Sequence, residues 1–318
     1  MTEPPVPVIA VRALAKRFGP VTAVAGVDFD VGAGELFGFL GPNGAGKTTT
    51  VRMLTGVLEP SAGTAVIQGH DIRTEALLSR AHLGSVPEEA NVYLDLSVWR
   101  NVMLMAELHG VPRRRRLGEG ERLLKAVGLL DRKRHKARTL SKGLRQRLML
   151  VTALVTGPEV LFLDEPTSGL DVASARLVRQ LVRELNDDGL TVFLTTHNMN
   201  EAEEICSRVA ILDRGRIVAI DTPGRLRSAM RSSQYVEVVL ASGEIDAADL
   251  ERLPGTLRVS RDGGRARLYG ESPGRLAIDV ARLVEAKGLE IAELSTRKPS
   301  LEDVFLYFTG GPAREVAP

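Results

Sequence analysis

Gly41-Pro42-Asn43-Gly44-Ala45-Gly46-Lys47-Thr48 is the stretch that decides how this chain reads. The octet fits G-x-x-x-x-G-K-[ST], a loop whose backbone N–H groups wrap phosphates. Its glycines let the backbone approach an anion with no Cβ in the way. Lys47 is placed to reach β- and γ-phosphates, and the hydroxyl of Thr48 to ligate Mg²⁺. Thr49 follows in the same candidate binding set. Glu35 to Leu40 reads as a strand, and Thr48 to Val57 as a helix with Val51, Leu54 and Leu58 on one stripe. The loop therefore sits at a helix N-terminus, where unpaired N–H groups and the dipole favour phosphate. At this composition roughly 0.01 chance matches to the pattern are expected in a chain of this length.

Outward from the loop, strands alternate with helices. Val8–Leu14 and Val21–Val31 read as strands split by the turn Arg17-Phe18-Gly19-Pro20, a small antiparallel sheet laid against the nucleotide core. Phe18 is a candidate to stack on an adenine ring or to pack under that sheet. Thr64–Gln68 and Leu83–Pro87 are further strands. Residues 97–128 change to helical spacing, as an insertion with the run Arg113–Arg116 read as a solvated loop between two helices, contact with acidic headgroups or a partner protein being the alternative. Ser141 suits the N-cap of a helix whose stripe is Leu144, Leu148, Val151 and Val155. Val160–Leu163 and Leu190–Leu194 are wholly apolar, as expected of parallel strands covered on both faces. They end in Asp164-Glu165 and Thr195-Thr196-His197. Ligands of such sheets bind at strand C-terminal ends, where the loop, the acidic pair and His197 all fall.

Composition bounds the alternatives. The chain has 318 residues, 44% apolar, with a net charge of +2 that argues against nucleic acid as the main partner. No stretch approaches the apolar run needed to span a bilayer, and Met-Thr-Glu-Pro-Pro-Val-Pro reads as a loose tail rather than a secretory signal. The single Cys206 excludes an internal disulfide, fits a reducing cytosol and reads as a packing residue.

Phosphoryl transfer needs charge neutralisation, a metal and an oriented nucleophile. Asp164 can hold Mg²⁺ alongside Thr48, Glu165 can polarise an in-line water, and His197 can contact the γ-phosphate or position that water. With these residues in view, the sequence resembles the ATP-binding subunit of ABC transporters over roughly residues 8–225. Gly41–Thr48 matches the Walker A loop, and Leu140-Ser141-Lys142-Gly143-Leu144 the family signature. Val160–Glu165 matches Walker B, Ser168-Gly169-Leu170-Asp171 the D-loop, and His197 the switch histidine. The resemblance implies a head-to-tail dimer, homodimeric here, in which Ser141 and Gly143 of one subunit cap the ATP γ-phosphate held by the other. It also implies a separate transmembrane permease as partner and a peripheral place on the cytoplasmic side of the membrane. Three positions depart from the family pattern: Lys142 and Leu144 replace the usual Gly and Gln of the signature, and Glu88 stands in Val86-Pro87-Glu88 where the family has a metal-ligating Gln.

After Asp221-Thr222-Pro223-Gly224 the pattern changes. Strands at Tyr235–Leu240, Thr256–Arg261, Arg265–Tyr269 and Leu289–Ser295 alternate with helices at Asp246–Leu253 and Gly274–Ala286. A final helix is capped at Pro299-Ser300-Leu-Glu-Asp303, has Leu301, Val304, Phe305 and Phe308 on one face, and closes at Gly310. This module looks like the accessory C-terminal domain of daunorubicin-resistance-type exporters. The expected fold is α/β: a P-loop NTPase core with a mostly parallel sheet, an N-terminal antiparallel β subdomain and a helical insertion over residues 1–228, then a small α+β domain over 229–318. The expected function is an ATP-hydrolysing subunit that powers a separate membrane permease for export of a drug, antibiotic, lipid or glycoconjugate. The competing reading is a soluble ABC ATPase of translation or DNA maintenance.

Overall fold

The computed structural model describes residues 6–89, 92–229, 235–262, 264–270, 272–297 and 300–309. Residues 1–5 of the expected tail, Gly263 of the expected hairpin, and Pro299 and Gly310 of the last helix lie outside them. The chain divides into two compact units, residues 1–221 and 222–318.

The first unit opens with β1 (Ile9–Phe18), β2 (Val21–Val31) and β3 (Leu36–Leu40), then α1 (Lys47–Leu54). β4 (Ala62–Ile67), β5 (His70–Asp71), α2 (Ala76–Ala81) and β6 (Leu83–Val86) lead to the insertion helices α3 (Val98–Leu108) and α4 (Arg113–Ala126). Two 3₁₀ turns, Leu130–Arg132 and Ala137–Thr139, lead to α5 (Lys142–Leu154). The rest of the unit is β7 (Val160–Asp164), α6 (Val172–Asp187), β8 (Thr191–Thr196), α7 (Met199–Ile205), β9 (Arg208–Asp213) and β10 (Arg216–Asp221).

β2-β1-β4-β5 form an antiparallel sheet, and β10-β9-β3-β8-β7-β6 a second sheet, parallel but for its β10 edge. Every residue of β3, β7 and β8 is buried, which accounts for their unbroken apolar runs. Phe37 pairs across the ladder with Phe193, and Phe193 with Phe162, so three rings form a row on one face. Phe29 of β2 stacks on Phe37 at 5.6 Å and 9°, and meets Phe39 and Phe193 at 5.4 and 5.9 Å. This aromatic layer fills the space between the two sheets. Cys206 is buried against β3, where its Sγ would meet a Gly38 Cβ at 2.8 Å. Burial pushes its thiol pKa up, so it acts as a packing residue, as expected.

One local expectation is corrected. Arg113–Arg116 are not a loop but the first turn of α4. Pro112 at its N-cap has φ −59°, already set for a helix, and arginine is a good helix former. Buried Gly120, Leu123 and Leu124 anchor the far half on the insertion. Among the described residues, no helix is long and apolar enough to cross a membrane.

The second unit begins with α8 (Pro223–Ala229), which the sequence reading assigned to the first domain. β11 (Tyr235–Leu240), α9 (Ala247–Glu251), β12 (Thr256–Asp262), β13 (Arg265–Gly270), α10 (Pro273–Ala286), β14 (Ile291–Arg297) and α11 (Leu301–Thr309) follow. Its antiparallel sheet runs β12-β13-β11-β14. Val236, Val238 and Leu268 pack with Leu276, Val280 and Val284 of α10. Ser300 and Asp303 form the expected reciprocal cap: Ser300 N–H donates to Asp303 at 2.8 Å and Asp303 N–H to Ser300 Oγ at 3.2 Å. Glu237 is buried among arginines. Arg267 Nε donates to it at 2.8 Å, and Arg265 and Arg297 lie at 3.8 Å, so its carboxyl is held below the usual carboxylate range.

Two outcomes follow from this packing. Phe193→Ala should cost the first unit about 3–5 kcal/mol, read as a urea midpoint lower than that of the native chain. Glu237 has a lower pKa folded than unfolded. Its contribution is therefore present above about pH 4.3 and lost as pH falls through the depressed value. Glu237→Gln should flatten the acid limb of the stability–pH curve of the second unit.

Candidate functional site

The site grows from strand ends. β3 delivers the loop 41–48, β7 delivers Asp164-Glu165, and β8 delivers Thr195-Thr196-His197 on the adjacent strand. Gly41 lies against β9, where a Cβ would meet the Leu212 carbonyl at 2.5 Å. Gly46 is the N-cap of α1 at φ 107°, and a Cβ there would meet the Ala23 carbonyl at 2.5 Å. Only glycine fits that corner. Gly46 supplies no side-chain cap, so the first-turn N–H groups of α1 are left for an anion.

Lys47 and Glu165 are both buried, at 5% and 6% exposure, with Nζ and Oε1 3.1 Å apart. Lys47 Nζ also donates to the carbonyls of Gly41 at 2.7 Å and Pro42 at 3.2 Å. The other carboxylate oxygen of Glu165 lies 2.8 Å from His197 Nδ1 and accepts the His197 N–H at 3.3 Å. His197 is half exposed. Glu165 has φ 50°, a left-handed conformation that costs a non-glycine residue on the order of 1–3 kcal/mol. Its N–H donates to the Thr195 carbonyl and hydroxyl, both at 3.1 Å, which holds that bend.

Asp164 accepts from the Thr48 hydroxyl at 3.2 Å and the Thr195 hydroxyl at 2.5 Å. No group of three or more His, Cys, Asp or Glu side chains suited to a metal occurs among the described residues. A hydroxyl beside one carboxylate is instead the donor set of Mg²⁺ that takes its other ligands from water and substrate phosphate. Glu88 lines the same open cleft as Asn43, Gly44, Thr48 and Thr49, and accepts from the Ser168 hydroxyl at 3.4 Å.

The remaining candidates stand apart from that cleft. Ser141 is exposed and caps α5, accepting from Leu144 N–H at 3.4 Å. A Cβ on Gly143 would meet Ser174 Oγ at 2.6 Å, so glycine lets α5 approach the start of α6. Asp171 caps that helix through Ser174 N–H at 2.8 Å. Neither Ser141 nor Gly143 is among the residues lining the loop cleft. Phe18, at the end of β1, is 49% exposed with Lys16 Nζ 5.3 Å from its ring centroid, and so is not packed beneath the sheet.

Sequence reasoning missed Glu201. It is 2% exposed and accepts from Thr167 at 2.8 Å and Thr196 at 2.7 Å. Burial raises its carboxyl pKa against the opposing pull of those two hydroxyls. It ties the segment after Glu165 to the segment before His197. The signal for it was Asn198-Met-Asn-Glu201, a capping pattern, and Glu201 N–H indeed bonds Asn198 Oδ1 at 3.2 Å. In place of the reciprocal bond to the helix start, its carboxylate joins the two loops.

Comparison with known proteins agrees with this geometry. The ABC transporter family model matches residues 24–168, and the model of the ATP-binding protein DrrA1-3-like C-terminal domain matches residues 222–309. The chain is 37% identical to the daunorubicin resistance ATP-binding protein DrrA3 of Streptomyces coeruleorubidus, over 96% of this chain and 97% of that one. It is 36% identical to the Nod factor export ATP-binding protein I of Ralstonia nicotianae, over 97% and 96%. A solved ATP-binding subunit of an ABC transporter superposes with TM-score 0.65 at 28% identity, over 70% of this chain and 92% of that one. The chain therefore belongs to the ATP-binding subunits of ABC transporters, in the group that carries a DrrA-like C-terminal domain, and it is an ATPase.

Proposed function

We propose that two copies of this chain close head to tail over two ATP molecules on the cytoplasmic side of the membrane, and that hydrolysis drives export through a separate permease. The observation that carries this is the buried Glu165 carboxylate, bound at once by Lys47 and His197 beside the Thr48–Asp164 pair. The exposed, capped start of α5 at Ser141, away from the loop cleft, supports a second copy as the source of the other phosphate clamp. The relatives' names, daunorubicin resistance and Nod factor export, support export.

In this reading the loop N–H groups hold the β- and γ-phosphates. Lys47 leaves the Gly41 and Pro42 carbonyls to join them. Thr48 and Asp164 would hold Mg²⁺, with Glu88 as a further candidate ligand, and its charge would offset that of the phosphates. Glu165 takes a proton from the attacking water as its oxygen bonds to phosphorus and the bond to the ADP oxygen breaks. His197 keeps Glu165 turned toward that water. Ser141 and Gly143 of the second copy meet the γ-phosphate, and Phe18 stacks on adenine.

Glu165→Gln should leave ATP binding intact, lower turnover by about 10²–10⁴-fold and accumulate an ATP-bound dimer in size-exclusion chromatography. A monomer with bound ATP would sink the sandwich. Glu201→Ala should lower kcat by about 10–100-fold with KM for ATP little changed, because Glu165 and His197 lose their shared brace. Glu201→Gln, which still offers an acceptor, should recover most of that loss. The native chain should co-purify with a polytopic membrane protein; recovery on ribosomes or DNA instead would overturn the transport reading.

A further inference from the structure

Charge is unevenly spread along this chain. Residues 98–140 hold twelve Lys and Arg against four Asp and Glu, a net +8. The whole chain is only +2, so everything outside this insertion sums to −6. Catalysis at the loop cleft gives no reason for the bias.

Its densest point is the start of α4. Arg113–Arg116 occupy the first turn, where the helix dipole already presents its positive end and no acidic residue offsets it. Pro112 provides no capping side chain, so the first N–H groups also lack an acceptor from their cap. Gly118 and Gly120 weaken the helix further. Arg116 reaches Glu107 at 3.6 Å, and Arg115 leans toward Gly157 at the end of α5. Among the described residues, no carboxylate lies within ion-pair distance of Arg113, Arg114 or Arg115, and all three are exposed. Arg113 and Arg114, at the positive end of the helix, therefore have no anion within ion-pair distance among the described residues.

Two exposed leucines say what kind. Leu117 shares the face of Arg113 and Arg114, at i+4 and i+3, and is 42% exposed. Leu108, which ends α3 just before the turn into α4, is 67% exposed. Nucleic acid would satisfy the guanidinium groups and leave the leucines in water. An anionic bilayer offers phosphates to the arginines and an acyl boundary to the leucines.

We propose that the start of α4, with Leu108 and Leu117, rests on a surface of anionic lipid. This contact is made by the ATPase chain itself, apart from any docking on a permease. It both anchors the insertion and relieves the charge conflict at the helix start.

The test uses the purified full-length chain and no permease, so its failure leaves the transport reading untouched. Co-sedimentation compares vesicles of phosphatidylcholine alone with vesicles that also contain phosphatidylglycerol. The chain should pellet with the second and not the first, and high salt should release it. Arg113→Gln/Arg114→Gln/Arg115→Gln should lower the partition coefficient by about 100-fold, three basic contacts being removed. A matched variant, Arg252→Gln/Arg275→Gln/Arg282→Gln, should bind as the native chain does. Leu108→Ser/Leu117→Ser should weaken vesicle binding while leaving any residual affinity for duplex DNA unchanged. ATP turnover retained in solution shows that each variant is folded. Equal pelleting with both vesicles, native binding by the Arg113–Arg115 variant, or release of the chain from vesicles by competing duplex DNA with no effect of the leucine changes would each overturn the proposal.

Discussion

One buried carboxylate organises the catalytic end of the first unit. Glu165 is shared between Lys47, from the loop after β3, and His197, from the end of β8. Three chain segments far apart in sequence are thereby held at one point. A charge so deeply buried is tolerable only while it is paired, since stripping one partner leaves the other in a medium that solvates it poorly. The pair also explains why Lys47 can rest folded back on the Gly41 and Pro42 carbonyls. In the proposed function a triphosphate would draw the ammonium away, leaving Glu165 with His197 and with a free oxygen that could accept from water.

The geometry around Glu165 depends on the parallel sheet. Register places Asp164 opposite Thr195 and Leu40 opposite Thr196, so the loop and both polar strand ends emerge at one edge. The hydroxyls of Thr195 and Thr196 then serve as struts. Thr195 bonds Asp164 and the Glu165 backbone, and Thr196 bonds Glu201. The aromatic layer beneath fixes the strands from behind, with Phe193 within 5.9 Å of four other rings by centroid. Precision at the strand ends is thus bought by packing rather than by the polar contacts alone.

What the sequence made legible follows from the range of the forces involved. The phosphate loop, the buried strands and the Ser141 cap are set by neighbours within a few residues, and the structure has them where the pattern places them. The core of α1 and the antiparallel entry sheet are read equally well. The helix α2 was missed because it is only six residues long and carries exposed Leu77 and Leu78, so no buried stripe marks it. Arg113–Arg116 was misread because a run of like charge looks solvated, and here local propensity and the distant anchor of Leu123 and Leu124 decide the helix. Glu201 was invisible as a brace because its partners, Thr167 and Thr196, are brought to it only by the fold.

The two departures in the signature stretch have physical accommodations of their own. Lys142 extends over Gly169, where its ammonium fills the space a Cβ would need. The glycine at 169, at φ 63°, makes room for the longer side chain. Leu144 keeps the one contact that the cap requires, because it is its backbone N–H that bonds Ser141 Oγ. The cap thus does not depend on the side chain at 144, whereas position 143 needs glycine, since Ser174 stands where any Cβ would go. The substitution at 142 couples the start of α5 to the segment following Glu165 within the same chain. The signature stretch and the segment that follows Glu165 are thereby in contact within one subunit, at Lys142 and Gly169.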